Sequence, residues 1–174
     1  MSPIDLVILG LIKQQPQGAY DIQKEMAHRN ISRSVKISIP SIYKKVLQLE
    51  EKGYIESGLT KKGKMPEKAV YSLTPKGEEY FLQLMREMSA QSINLFLDFN
   101  SVIMNLDLVS PDMRAQCLVR IQENIQALKE QIKENIAIKP HIPQTGKQIL
   151  AQQLALAESL EVWIRECLDL SSGS

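Results

Sequence analysis

A helical stripe that gives way abruptly to extended chain is the strongest constraint in this sequence. Ile42, Val46 and Leu49 recur at intervals of four and three and so share one face of a helix. Gly53 closes that helix at the position where a left-handed backbone is favoured. Immediately beyond, Tyr54–Leu59 and Ala69–Leu73 are short runs in which Tyr54, Ile55, Val70 and Tyr71 are strand formers. Thr60–Lys68 joins them, a connection with Gly63 and Pro66 that is longer than a tight hairpin turn needs. The order demands a two-stranded hairpin set directly after a half-buried helix.

Two helices precede the stripe. Ser2 and Pro3 supply the N-cap and first position of a helix running to Lys13. Ile4, Val7, Ile8, Leu11 and Ile12 form one face and Leu6 and Leu9 widen it, so this helix is expected to be buried. Gln14–Gly18 breaks the pattern, and Ala19–Arg29 reads as a second helix with Ile22 and Met26 inward. Asn30–Pro40 reads as a polar connection carrying Arg33 and Lys36, and the third helix starts near Ser38 or Ile39 with Pro40 in its first turn.

Beyond the hairpin, Thr74-Pro75 opens another helix by the same cap-plus-proline rule. Pro75 to about Leu106 is amphipathic, as one helix or as two with a bend near Ser89–Ser92. Ser110-Pro111 starts the next helix, in which Leu118, Ile121, Ile125, Leu128 and Ile132 follow coiled-coil spacing. Lys139–Pro143 stops it, and a last helix runs from about Gln144 to Leu168 with Leu150, Leu154, Ala157, Leu160, Ile164 and Leu168 inward. The fold expected is mainly α with a small β-hairpin wing. Residues 1–80 form a winged helix-turn-helix, and residues 81–174 a helical dimerisation region.

Charge is divided in the same way. Residues 1–80 carry a net +4 and residues 81–174 a net −3, which assigns any polyanion to the first part. In a winged helix-turn-helix the third helix buries one face and offers the other to the major groove, which admits an α-helix. Ser41, Lys44, Lys45 and Gln48 lie off the buried stripe and suit that groove. Lys61, Lys62, Lys64 and Lys68 make the wing basic enough to meet flanking phosphates. The competing reading is a winged helix that docks another protein, with DNA affinity incidental.

Four stretches resemble the PadR transcriptional regulators. They are Leu6-Val7-Ile8-Leu9-Gly10-Leu11-Ile12; Gly18-Ala19-Tyr20-Asp21-Ile22, similar to a Gly-Tyr-[Glu/Asp]-Ile signature with one residue inserted; Pro40 to Ile55, with Tyr43 central and Leu49-Glu50-Glu51-Lys52-Gly53-Tyr54-Ile55 at its end; and Val70-Tyr71-Ser72-Leu73-Thr74-Pro75-Lys76-Gly77. The resemblance covers about Ile4 to Tyr80. It implies a repressor that binds a pseudo-palindromic operator in double-stranded DNA and responds to a small molecule such as a phenolic compound. It also implies that Tyr43, and Tyr20 at the start of the second helix, contact phosphates; packing is the alternative for each ring. Where the family often has Pro-Ala after the helix tyrosine, this chain has Lys44-Lys45, which strengthens phosphate contact and departs from inherited base specificity. Some short relatives hold a planar drug between tryptophans on the helix after the wing, but Trp163, the one tryptophan here, lies on the last helix.

The helical second part resembles the dimerising appendage of longer family members. Leu118, Ile121, Ile125, Leu128, Leu160, Trp163 and Ile164 are the residues expected to hold a homodimer, with packing inside one chain as the alternative. His28 and His141 lie far apart, and no nucleophile elbow, phosphate-cradling glycine loop or metal motif occurs. No catalytic, cofactor-binding or metal-binding residue is therefore assigned, and an enzyme is not expected. Cys117 and Cys167 read as buried reduced thiols. The apolar runs fall well short of the ~20 residues of a membrane span, and no secretory pattern opens the chain, so no membrane partner and a cytoplasmic location are expected.

Overall fold

The computed structural model describes residues 2–37, 42–60 and 68–172. They form two compact units, Met1–Ile93 and Asn94–Ser174. The first comprises α1 (Pro3–Gln14), α2 (Ala19–His28), α3 (Ile31–Ser34), α4 (Ile42–Glu51), β1 (Ile55–Thr60), β2 (Lys68–Leu73) and α5 (Pro75–Ser89). The second comprises α6 (Asn100–Ile103), a 3-10 turn at Leu106–Leu108, α7 (Pro111–Ile138) and α8 (Gln144–Ser172). The architecture is mainly helical with one antiparallel hairpin, as the winged-helix reading requires.

In the first unit α1 is the central post. Ile4, Ile8, Leu9, Leu11 and Ile12 are buried, because α2, α4, α5 and β2 all pack around this helix. Ile22 and Met26 of α2, Ile42, Val46 and Leu49 of α4, Ile55, Tyr71 and Leu84 complete the core. Pro3 takes the first helical position and Ser2 the extended cap backbone, although its hydroxyl caps nothing. The α1–α2 connection is tied to the hairpin: Gln17 and Tyr71 exchange backbone hydrogen bonds of 3.2 and 3.1 Å. The buried Gln17 amide also donates to Leu11 O at 2.8 Å, a last-turn carbonyl of α1 that takes only a longer 3.4 Å bond from Gln15 N.

Two expectations about this region need correcting. The connection Asn30–Pro40 is not wholly irregular. Asn30, at φ 53°, turns the chain into the short helix α3, and Ile31 packs on the core. Nor is Pro75 to Leu106 one continuous helix: the break falls near Ser89–Ser92, where a bend was the alternative, but it opens into irregular chain. α5 ends at Ser89, and the chain from 91 to 97 is neither helix nor strand, leaving Ile93, Leu95 and Phe96 exposed. The apolar content there imitated a helix face, but these side chains have no packed surface to cover. The start of the third helix around Ser38–Pro40 lies outside the described residues.

The second unit is built on the helical pair α7 and α8. Ser110 caps α7 by accepting from Met113 N at 3.3 Å. Leu118, Ile121, Ile125 and Ile164 form the centre of its core, with Phe99, Leu160, Trp163 and Cys167 against them. The Trp163 and Phe99 rings stack at 5.6 Å. Lys129 donates to Glu161 at 2.6 Å across the pair, and that hydrogen bond holds the Glu161 carboxyl below its ordinary value. Both cysteines are free and partly buried, and burial, then Glu166, pushes the Cys167 thiol up. Among the described residues no helix is long and apolar enough to cross a membrane.

Candidate nucleic-acid interface

The outer face of α4 is set by what its inner face packs on and by how its end is closed. Its inward residues Ile42, Val46 and Leu49 pack on α1 and α2. Its end is locked by a Schellman motif: Tyr54 N donates to Leu49 O at 2.9 Å and Gly53 N to Glu50 O at 2.8 Å, with Gly53 at φ 72°. Besides Glu51 in its last turn, what remains outward is Tyr43, 46% exposed, then Lys44, and Leu47, 59% exposed. These three lie at i, i+1 and i+4, one patch on one face. Gln48 sits half-buried at its margin. Tyr20, in the first turn of α2, is 60% exposed.

The wing follows directly. β1 and β2 pair antiparallel from Ile55↔Leu73 to Thr60↔Lys68. Its base is clamped. The Thr74 hydroxyl donates to Gly53 O at 2.7 Å and accepts from Gly77 N at 3.0 Å. Tyr54 lies between the Tyr80 ring, 4.1 Å away and nearly parallel, and the Lys76 ammonium, 5.0 Å from its ring centre. Lys76 also donates to Lys52 O at 2.7 Å, a cation on the last carbonyls of α4. The helix, the wing base and α5 are thus joined at a single knot.

Residues 8–83 match the Transcriptional regulator PadR-like family. Over that stretch the chain is similar to the PadR-like family. No curated protein matches the sequence. Among solved structures, the fold is similar to that of Bacillus subtilis PadR in complex with operator DNA, at 18% identity and TM-score 0.82, covering 98% of this chain and 99% of that one. It is also similar to the Bacillus cereus PadR-like regulator, at 19% identity and TM-score 0.72, covering 98% of each chain. A third likeness is the Vibrio cholerae virulence activator AphA, at 20% identity and TM-score 0.68, covering 98% of this chain and 99% of that one. The chain has the fold of a PadR-like transcriptional regulator across both units.

Within this PadR-like frame the residues read from sequence fall into three groups. Tyr20, Tyr43 and Lys44 are exposed on the helix-turn-helix, with Gln48 beside them. Ser41, Lys61, Lys62 and Lys64 lie outside the described residues, and Lys68 is placed by its backbone at the end of the ladder opposite Thr60. Lys45 differs from the outward placement expected of it: it is half-buried, and its Nζ lies 3.0 Å from Asp5 Oδ1 on α1. Leu47 was missed. Its spacing from Tyr43 and Lys44 is visible in the sequence, but a leucine on a helix is ordinarily assigned to a core.

The residues expected at a dimer contact are placed differently from one another. Leu118, Ile121, Ile125 and Ile164 are at most 7% exposed within a single chain, so they hold the second unit together. Leu160 and Trp163 are partly covered by the same core, and Leu128 is 44% exposed. The second unit also carries an open cleft of about 410 Å³, walled by Phe99, Val102, Met113, Cys117 and Ile121 with Arg120 and Asn124 at its polar side.

Proposed function

We propose that this protein is a homodimeric, sequence-specific DNA-binding regulator that represses by occupying a pseudo-palindromic operator. The observation that carries the reading is the outward patch of α4, Tyr43, Lys44 and Leu47, set beside a hairpin whose connection holds Lys61, Lys62 and Lys64. Lys44 and the wing lysines, Lys68 included, meet phosphates. Tyr43 and Tyr20 add hydroxyl contacts to the backbone, and Ser41, Leu47 and Gln48 face base edges. The Bacillus subtilis relative solved with operator DNA supports this use of the fold. Selection from a random-duplex pool tests it. One motif should be enriched, and enrichment of none would leave the winged helix as a protein-docking module.

Dimerisation is supported by apolar surface that one chain leaves open. On α8, Ile149, Leu156 and Leu170 are exposed at seven-residue spacing, with Trp163 in the same register. That stripe, with Leu128 on α7, is where a second copy packs. The sign of regulation has a second reading, because AphA is named an activator. A promoter fusion, with and without the protein, separates the two. A small-molecule signal is supported by the structure of Bacillus subtilis PadR with p-coumaric acid, a fold similar to this one at 14% identity and TM-score 0.81. The cleft beside Phe99 and Arg120 offers an apolar wall and a cation to an aromatic carboxylate, and release of bound duplex by such compounds is the measurement.

A further inference from the structure

Lys44 and Lys45 are neighbours in sequence but not in role. The Lys45 ammonium, 28% exposed, lies 3.0 Å from Oδ1 of Asp5, whose side chain is 9% exposed in the first turn of α1. Asp5 and Gln17 are the buried polar residues among those described, and Gln17 is satisfied by Leu11 O. Asp5 Oδ1 accepts no aligned hydrogen bond among the described residues, so Lys45 and the positive end of the α1 dipole compensate its charge. The neighbouring Tyr80 phenol is pushed up by burial and next by Asp5, which shows the reach of that carboxylate.

We infer that Lys45 is a positioning residue: its ion pair with Asp5 sets the rotation of α4 about its own axis. The inference rests on the reading of α4 as the DNA-facing helix. Ile42, Val46 and Leu49 bury the helix, but aliphatic contacts are non-directional and tolerate small rotations. A buried carboxylate that loses its cation is strongly unfavourable, so the pair resists any rotation that separates it. With Lys45 held on α1, the patch turned outward is Tyr43, Lys44 and Leu47.

The probe is a duplex that the wild-type protein enriches from a random pool, compared with a scrambled duplex of equal length across a salt series. Lys44→Ala should flatten the log–log salt slope by about 1.8, one phosphate contact from each protomer of the proposed dimer. Lys45→Met should leave the slope unchanged and lower the enriched-to-scrambled affinity ratio by about tenfold, the discrimination carried by one base contact. Asp5→Asn should lower the ratio in the same way although the lysine is intact, and the Asp5→Asn/Lys45→Met double variant should fall no further than either single variant, because the same pair is lost in all three. Flattening by Lys45→Met as large as that by Lys44→Ala would overturn the inference. So would an Asp5→Asn protein as selective as wild type, and that variant alone decides if Lys45→Met does not fold. If wild type enriches no duplex, the DNA reading fails separately. Thermal unfolding of the four proteins then still tests the anchor: coupled effects of Asp5 and Lys45 support it, and additive ones remove it.

Discussion

At the scale of single residues, exposure separates side chains that periodicity groups together. Lys44 and Lys45 are about 100° apart on the helix, and only the first is turned outward while the second is taken up by Asp5. Leu47 is the apolar member of the outward patch. In the major groove the thymine C5-methyl is the apolar feature a leucine can contact. Leu47→Ala should therefore relax selection at one or two thymine positions by about 1 kcal/mol each while leaving the salt slope unchanged. Duplexes with uracil in place of each thymine should weaken wild type at those positions and leave the variant unaffected. Equal losses for both proteins would move Leu47 away from the bases.

Among the elements, the wing depends on a residue with no side chain. A Cβ at Gly77 would lie 1.9 Å from the Tyr54 carbonyl oxygen, which is backbone and cannot swing aside as a side chain could. Gly77→Ala should cost about 3 kcal/mol or more, read as a lowered urea midpoint, because α5 must leave the knot that holds Tyr54. The second unit offers a charge test. Lys129 holds the Glu161 carboxyl below 4.5, so the pair contributes fully above that value and loses its contribution as pH falls through the lowered one. Lys129→Met should accordingly flatten the acid side of the stability profile of that unit. Much of this was legible in the chain: Gly53, the Thr74-Pro75 and Ser110-Pro111 caps and the α4 stripe fix their elements by local chemistry. The Gly77 requirement was not, since it comes from a carbonyl more than twenty residues away. The end of α5 at Ser89 was legible as one of two readings, a bend near Ser89–Ser92, while Ile93, Leu95 and Phe96 carry the apolar pattern on beyond it. Apolar spacing records that a side chain wants cover and does not record what covers it.

For the molecule as a whole, that ambiguity bears on assembly. The regular seam Leu118–Ile121–Ile125 is closed by Ile164 of the same chain, so its spacing describes an intramolecular core. In the proposed dimer the second copy uses the surface left over, and the stripe Ile149–Leu156–Leu170 is long enough to run along most of α8. Under the proposed function dimerisation matters for recognition, because one DNA-facing helix reads few bases and two, fixed about one helical turn apart, multiply both affinity and discrimination. Leu156→Glu introduces a charge in the middle of the stripe without touching either core. It should convert twice the chain mass to once the chain mass in light scattering at micromolar concentration, with the melting of the first unit unchanged. Affinity for a single half-site duplex should survive, while affinity for the full palindrome should fall towards the half-site value. A variant that remains dimeric would exclude this stripe as the contact. A dimer lost together with half-site binding would instead mean that the two units fold as one and that the winged helix does not stand alone.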